Sequence, residues 1–257
     1  MNKTKEETSE NLTLNKFIKS NASVMFGLDR RLWSTLKLLL LYPGRLTKEF
    51  TNGNEEKYTA PTTLYFTTNL LFFLLQPIIN KGYVRILNFS YKGFTKNEGL
   101  YQKLITDDLQ LSGLSEIVYE VKFDAFITYN QPALIFIMIP FLAIFLKVFE
   151  LRKPTKVIDH IVQAFHFMSY FLIVFLLITA SANLVAFLLD GTGLVITISS
   201  LVFIASIIAY MARSFSITSN NSIIISIVKA LVFFVFFFVL FFGYVNMLIF
   251  FTILNVG

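Results

Sequence analysis

Apolar residues gather along this chain in five long runs, at about 60–79, 132–149, 157–189, 194–211 and 229–254, with polar stretches between them. Each run approaches or exceeds the twenty or so residues that a helix rising about 1.5 Å per residue needs to cross a hydrocarbon core about 30 Å thick. The pattern predicts an all-α, polytopic membrane protein with about five transmembrane helices. Pro61 suits the first turn of the first span, where its missing N–H would be unpaired anyway. Pro140, in the middle of the second, predicts a kink. Asp190-Gly191-Thr192-Gly193 makes a turn short enough to hold the third and fourth spans antiparallel. Ala205 and Ala209 suggest a close-packing edge on the fourth span, and Gly243 and Asn246 are the evident packing features of the fifth.

The segments outside these runs carry their own patterns. Residues 1–11 have almost no apolar surface and are expected to be a mobile tail. After Asp29, a plausible N-cap, Leu32, Leu36, Leu39 and Leu40 share one helix face with Trp33 beside them, while Arg30, Ser34 and Lys37 take the other. Pro43-Gly44 stops this helix before it is long enough to span. It reads as an amphipathic helix lying in the membrane interface, or equally as one packed on the protein's own surface. Residues 81–130 form one extracytoplasmic loop. Tyr83 to Phe89 alternates imperfectly, as a short strand would. Leu100, Leu104 and Ile105, then Leu114, Ile117, Val118 and Val121, predict two amphipathic helices broken near Ser112-Gly113. Glu116, Glu120 and Asp124 line the second as a solvated face, without the turn and mixed oxygen ligands of a calcium loop. Residues 213–222 read as a polar loop. The chain thus divides into a cytoplasmic tail with an interfacial helix (1–59), a first span (60–80), a loop (81–130) and four further spans (131–257).

Composition agrees with membrane residence. Hydrophobic residues make up 55% of the chain and 30 of its 257 residues are phenylalanine, above the 45 to 50% of about average soluble domains. The absence of cysteine excludes disulfides, thiolate zinc sites and iron–sulfur clusters. The first thirty residues lack an apolar core followed by a small-residue cleavage site, so no removable signal peptide is expected. Ten lysines and arginines precede the first span, four lie between Lys147 and Lys156, and Arg213 and Lys229 bracket the last loop. The remaining six fall in the long loop, where the positive-inside bias has little force. The N-terminus is therefore expected in the cytoplasm and the C-terminus outside. Expected partners are the bilayer and its anionic headgroups; the basic N-terminal part lacks the interleaved aromatics of a nucleic-acid surface.

Polar residues set into apolar runs are the candidates for chemistry. Thr62, Tyr65, Asn69 and Gln76 form a stripe on the first span, which should turn inward because an unpaired amide against lipid costs several kcal/mol. On the third, Asp159, Gln163, His166 and Tyr170 share one face, with His160 about 100° away from Asp159. Ionisable groups entering a membrane need partners and often mark function; in a helix longer than the bilayer the first two turns can equally be wet. No HExxH, CxxC, P-loop or dinucleotide fingerprint is present. Neither a metal nor any other cofactor is expected.

Two stretches resemble a known family. Leu41-Tyr42-Pro43-Gly44-Arg45-Leu46-Thr47-Lys48-Glu49-Phe50, followed by Gly53, Tyr58, Pro61, Tyr65 and Phe72-Phe73, is similar to the domain of unknown function 3667 family of bacterial polytopic membrane proteins. His160-Ile161-Val162-Gln163-Ala164-Phe165-His166-Phe167-Met168-Ser169-Tyr170-Phe171 resembles that family's histidine-bearing segment. Many members begin with a four-cysteine zinc ribbon, which this chain lacks, and Met168 stands where a third histidine is expected. The resemblance implies membrane location and helical architecture, and no activity; the expected membrane is a bacterial inner membrane. Three readings stay open: a small-solute or lipid-headgroup site where the two polar stripes meet, an enzyme using Asp159, His160 and His166, and a scaffold whose outer loop binds a partner.

Overall fold

The computed structural model describes residues 30–79, 90–96, 99–150, 155–189 and 193–256, and these are helical apart from short connections. No strand occurs among the described residues, and the strand expected at 83–89 lies outside them. The helices are α1 (residues 30–41), α2 (Arg45–Thr51), α3 (Pro61–Ile79), α4 (Tyr91–Thr95), α5 (Leu100–Ser112), α6 (Glu116–Leu134), α7 (Met138–Phe149), α8 (Val157–Leu189), α9 (Gly193–Thr218) and α10 (Ile223–Val256). Five stretches are long and apolar enough to cross a membrane: Glu55–Ile79, Glu116–Phe149, Val157–Leu189, Gly193–Thr218 and Ile223–Val256. The chain is a multi-pass helical membrane protein.

α8 is the central helix. It packs against α3, α7 and α9, and receives α2 at its N-terminal end. Its buried residues cluster in the first two-thirds, where Phe167, Phe171 and Phe175 interleave with Phe233 and Phe237 of α10 and Phe203 of α9. Edge-to-face ring pairs of this kind contribute about 0.5–1.5 kcal/mol beyond their burial. Phenylalanine therefore serves the helix contacts as well as the lipid face, where Phe238, Phe242 and Phe250 are exposed.

The second span departs from the expected boundaries. α6 runs into α7 through a 3-10 turn at Ile135–Ile137, so one helical rod covers 116–149 and the loop's second amphipathic helix continues into the membrane. The tightened turn lies between Pro132 and Pro140, each of which removes a backbone donor. Nearby carbonyls find partners on other helices: Pro132 O accepts from the Asn69 amide at 3.3 Å, and Gln131 O from the Tyr244 hydroxyl at 3.4 Å.

Outside the spans, α4 and α5 pack on the start of α6, with Tyr91, Ile105, Tyr119 and Phe123 buried among them. Gly113 ends α5 in the left-handed conformation, φ 66°, where the break was predicted. The carboxylates expected on a solvated face instead hold α4. Glu116 accepts from the Tyr91 hydroxyl at 3.1 Å, Asp124 from the Tyr91 N–H at 2.7 Å, and Glu120 pairs with Lys92 at 2.9 Å. Their four-residue spacing matches one turn of α4 laid along α6. Burial, then the Glu116 carboxylate, pushes the Tyr91 hydroxyl up from the ordinary tyrosine range.

Two further expectations change at the last helices. α9 continues to Thr218, so 213–218 is helix and not loop, and α10 begins at Ile223, which puts Lys229 inside it. Serine and threonine in this stretch bond back to helix carbonyls, as Thr218 does to Ser214 O at 2.8 Å, and so tolerate the helix. Ala205 and Ala209 are exposed; Ile207, Tyr210, Met211 and Ser214 form the packed edge.

Candidate polar site at the head of α8

α1 packs inward through Thr35 and Leu39, both buried, and Thr35 Oγ1 accepts the Thr59 N–H at 2.9 Å. Its other side leaves Trp33 73% exposed beside Arg30, Arg31 and Lys37. Both readings of this helix thus describe one of its faces. The turn after it brings Gly44 onto α9: a Cβ there would lie 2.6 Å from Ser214 Cα, and the backbone holds φ at +80°. Only glycine combines that approach with that conformation. Ser214 in turn accepts a hydrogen bond from the Gln163 amide at 3.1 Å. One turn into α2, Thr47 Oγ1 lies 2.9 Å from His166 Nδ1, and Phe50 sets its ring edge-on to the imidazole at 5.4 Å.

His166, Gln163, Thr47 and Ser214 are all buried, His166 completely. Nε2 of His166 has no hydrogen-bond partner among the described residues. Tyr170, a turn further along, stacks on Tyr210 at 3.9 Å and donates to Ser206 O at 3.3 Å. Three of the four residues expected on this face of α8 therefore turn toward α2 and α9.

The fourth does not. Asp159 sits in the first turn of α8 and accepts the Lys156 N–H at 3.0 Å, a capping role. His160 faces α7: its Nε2 lies 2.9 Å from Thr155 Oγ1, while its buried Nδ1 has no partner among the described residues. Nearby, Lys229 of α10 reaches Glu150 at the end of α7, 2.6 Å apart and with only 2% of the Glu150 side chain exposed.

The stripe on α3 is only partly inward. Tyr65 and Asn69 are buried and hydrogen-bonded to each other at 3.2 Å, whereas Thr62 is exposed and Gln76 half-buried without a hydrogen bond among the described residues. Thr62 stands next to Pro61 at the helix start, and Gln76 within a turn of its end, so neither lies deep in the bundle. The two stripes do not meet. α8 presents Phe165 to Tyr65, ring centroids 5.7 Å apart, because Phe165 is set about 100° round the helix from His166. Replacing Asn69 with alanine is expected to cost about 1 kcal/mol, read as a lower thermal midpoint in detergent, because the Pro132 carbonyl and the Tyr65 hydroxyl lose their partner.

Several residues escape sequence reasoning. Thr47 and Ser214 stand in polar neighbourhoods, and nothing local distinguishes them. Glu150 and Lys229 do leave a trace, a carboxylate closing one apolar run and an ammonium early in another, although their pairing is not written in either. No group of three or more His, Cys, Asp or Glu among the described residues is arranged to hold a metal.

The family model described as protein of unknown function (DUF3667) matches residues 29–73, the stretch that forms α1, α2 and most of α3. Over this stretch the chain is similar to the DUF3667 family. Gly44, Thr47, Tyr65 and Asn69 all fall in the matched stretch, and its first half is the part that covers His166. No curated protein and no solved structure matches the chain.

Proposed function

We propose that this protein binds a small polar solute or a lipid headgroup at the head of α8, in the cluster that α2 covers, and that it acts in transport or membrane binding and not in catalysis. The observation that carries this is the His166 Nε2 atom, wholly buried and without a hydrogen-bond partner among the described residues. A polar atom left so costs about 1–3 kcal/mol, and a ligand group reaching it when α2 lifts would remove that cost. An acid–base enzyme draws less support: Glu150 and Asp159, whose charges reach His160, are hydrogen-bonded elsewhere, and among the described residues no carboxylate is hydrogen-bonded to either histidine. A scaffold is the second reading, favoured by the direct pairing of Thr47 with His166 and of Gln163 with Ser214, which keeps the cluster shut.

The charge bias supports a bacterial inner-membrane topology with the N-terminus cytoplasmic and the C-terminus outside. In that frame α1 rests on anionic headgroups, with Trp33 and Lys37 outward.

Native mass spectrometry of protein taken from its expression membranes tests the reading. Wild type should retain a species of defined mass that His166→Leu loses, with helicity unchanged by circular dichroism. Thr47→Val should shift the emission of Trp33, the single tryptophan, as α1 and α2 loosen. No retained species, or equal retention in His166→Leu, overturns the site and leaves the scaffold.

A further inference from the structure

α7 and α8 leave a groove of about 460 Å³ between them, a size within the range of about 300–1,000 Å³ typical of ligand sites. Phe136 and Phe165 close its deep end, and Lys147, Val148 and Val157 form its mouth. On the α7 side it is lined by Pro140, which is exposed, and by the buried Ala143, short side chains that leave space beside the tightened 3-10 turn. Ile144, Val148 and Val157 are each more than half exposed, so the groove opens on the side of the bundle that faces lipid. From Phe136 to Val148 it runs about 18 Å along the helix, slightly more than the roughly 15 Å hydrocarbon depth of one leaflet.

Lys147 is its one charged lining residue. The ammonium donates to Thr155 O at 2.5 Å and lies 3.4 Å from Thr155 Oγ1. Both acceptors are neutral, and among the described residues no carboxylate bonds Lys147 directly, although the charges of Glu150 and Asp159 reach His160 beside it. An ammonium carries three N–H donors, which leaves one for an anion. His160 fixes Thr155 from behind through Nε2. A half-buried ammonium bonded only to neutral acceptors among the described residues, at the mouth of an apolar slot, suits a phosphate attached to a hydrocarbon chain.

We propose that this groove holds one acyl chain of an anionic phospholipid, with the headgroup phosphate on Lys147. The site lies on a different face of α8 from His166, so it stands or falls independently of the cluster under α2. Retention of phosphatidylglycerol and phosphatidylcholine by the purified, full-length protein, counted by native mass spectrometry, reads it directly. Wild type should hold one phosphatidylglycerol in preference to phosphatidylcholine, and Lys147→Gln should reduce that preference about fivefold, the contribution of one cation near a membrane surface. Lys147→Arg should keep it. Val148→Trp, which fills the mouth from an exposed position, should reduce retention of both lipids, and His166→Leu should change neither. Equal binding of the two lipids by wild type overturns the proposal, as does a preference that survives Lys147→Gln. Displacement of the lipid by millimolar inorganic phosphate also overturns it, because an anion alone would then be enough.

Discussion

Replacing Gly44 with alanine is expected to destabilise the protein by about 2–5 kcal/mol, more than the same change at Gly53, Gly113, Gly193 or Gly243, where nothing lies within 4 Å of the added Cβ. Two effects act together at Gly44. A side chain held at φ +80° costs about 1–2 kcal/mol in the left-handed conformation, and a Cβ at 2.6 Å from the Ser214 backbone forces α2 away from α9 at a further cost of about 1–3 kcal/mol. Because the obstructing atom is Ser214 Cα, trimming Ser214 to glycine gives no relief. Gly113→Ala is the matched control: it has the same backbone sign, φ +66°, with nothing within 4 Å, so it should show only the smaller, conformational part. Thermal unfolding in detergent measures both. If α1 and α2 come away as a unit, Trp33 emission should move in Gly44→Ala before global helicity is lost.

The second large effect is expected at Glu150. Its side chain is almost wholly buried against Lys229, and breaking such a pair by removing one member typically costs about 3–5 kcal/mol. Glu150→Ala and Lys229→Ala should each lower stability by that order. The double replacement Glu150→Leu with Lys229→Met should recover most of it, since well-packed apolar residues often replace a buried ion pair at little cost. A double-mutant cycle in equilibrium unfolding decides the matter. Additive losses would mean that each residue acts through other contacts, such as the Lys229 ammonium over the Phe215 ring at 5.8 Å.

These two sites mark what the sequence could and could not carry. The spans were legible because a run of apolar residues long enough to cross lipid has few other fates. The inward turn of Tyr65, Asn69, Gln163 and His166 was legible for the same energetic reason, since amides and imidazoles cannot face acyl chains unpaired. Partners were not. The His166 bond to Thr47 joins residues 119 positions apart, and the Glu150 bond to Lys229 joins residues 79 apart. Helical periodicity says which way a residue points and nothing about which helix it meets. Thr62 and Gln76 misled because periodicity treats every turn alike, whereas burial depends on depth along the helix. Ser214 was obscured by a local cue that is ambiguous in membranes: a cluster of serine and threonine reads as a loop, yet those hydroxyls bond the preceding turn and leave the helix intact.

α8 contains neither glycine nor proline in its 33 residues, and so offers no place at which to flex. It is tethered near both ends, by the Thr47 bond at His166 and by the Asn183 amide on Ile79 O at 3.3 Å. Such a beam works as a lever. A tilt imposed where α2 grips it would be carried along a single stiff element to Asn183, beside the end of α3.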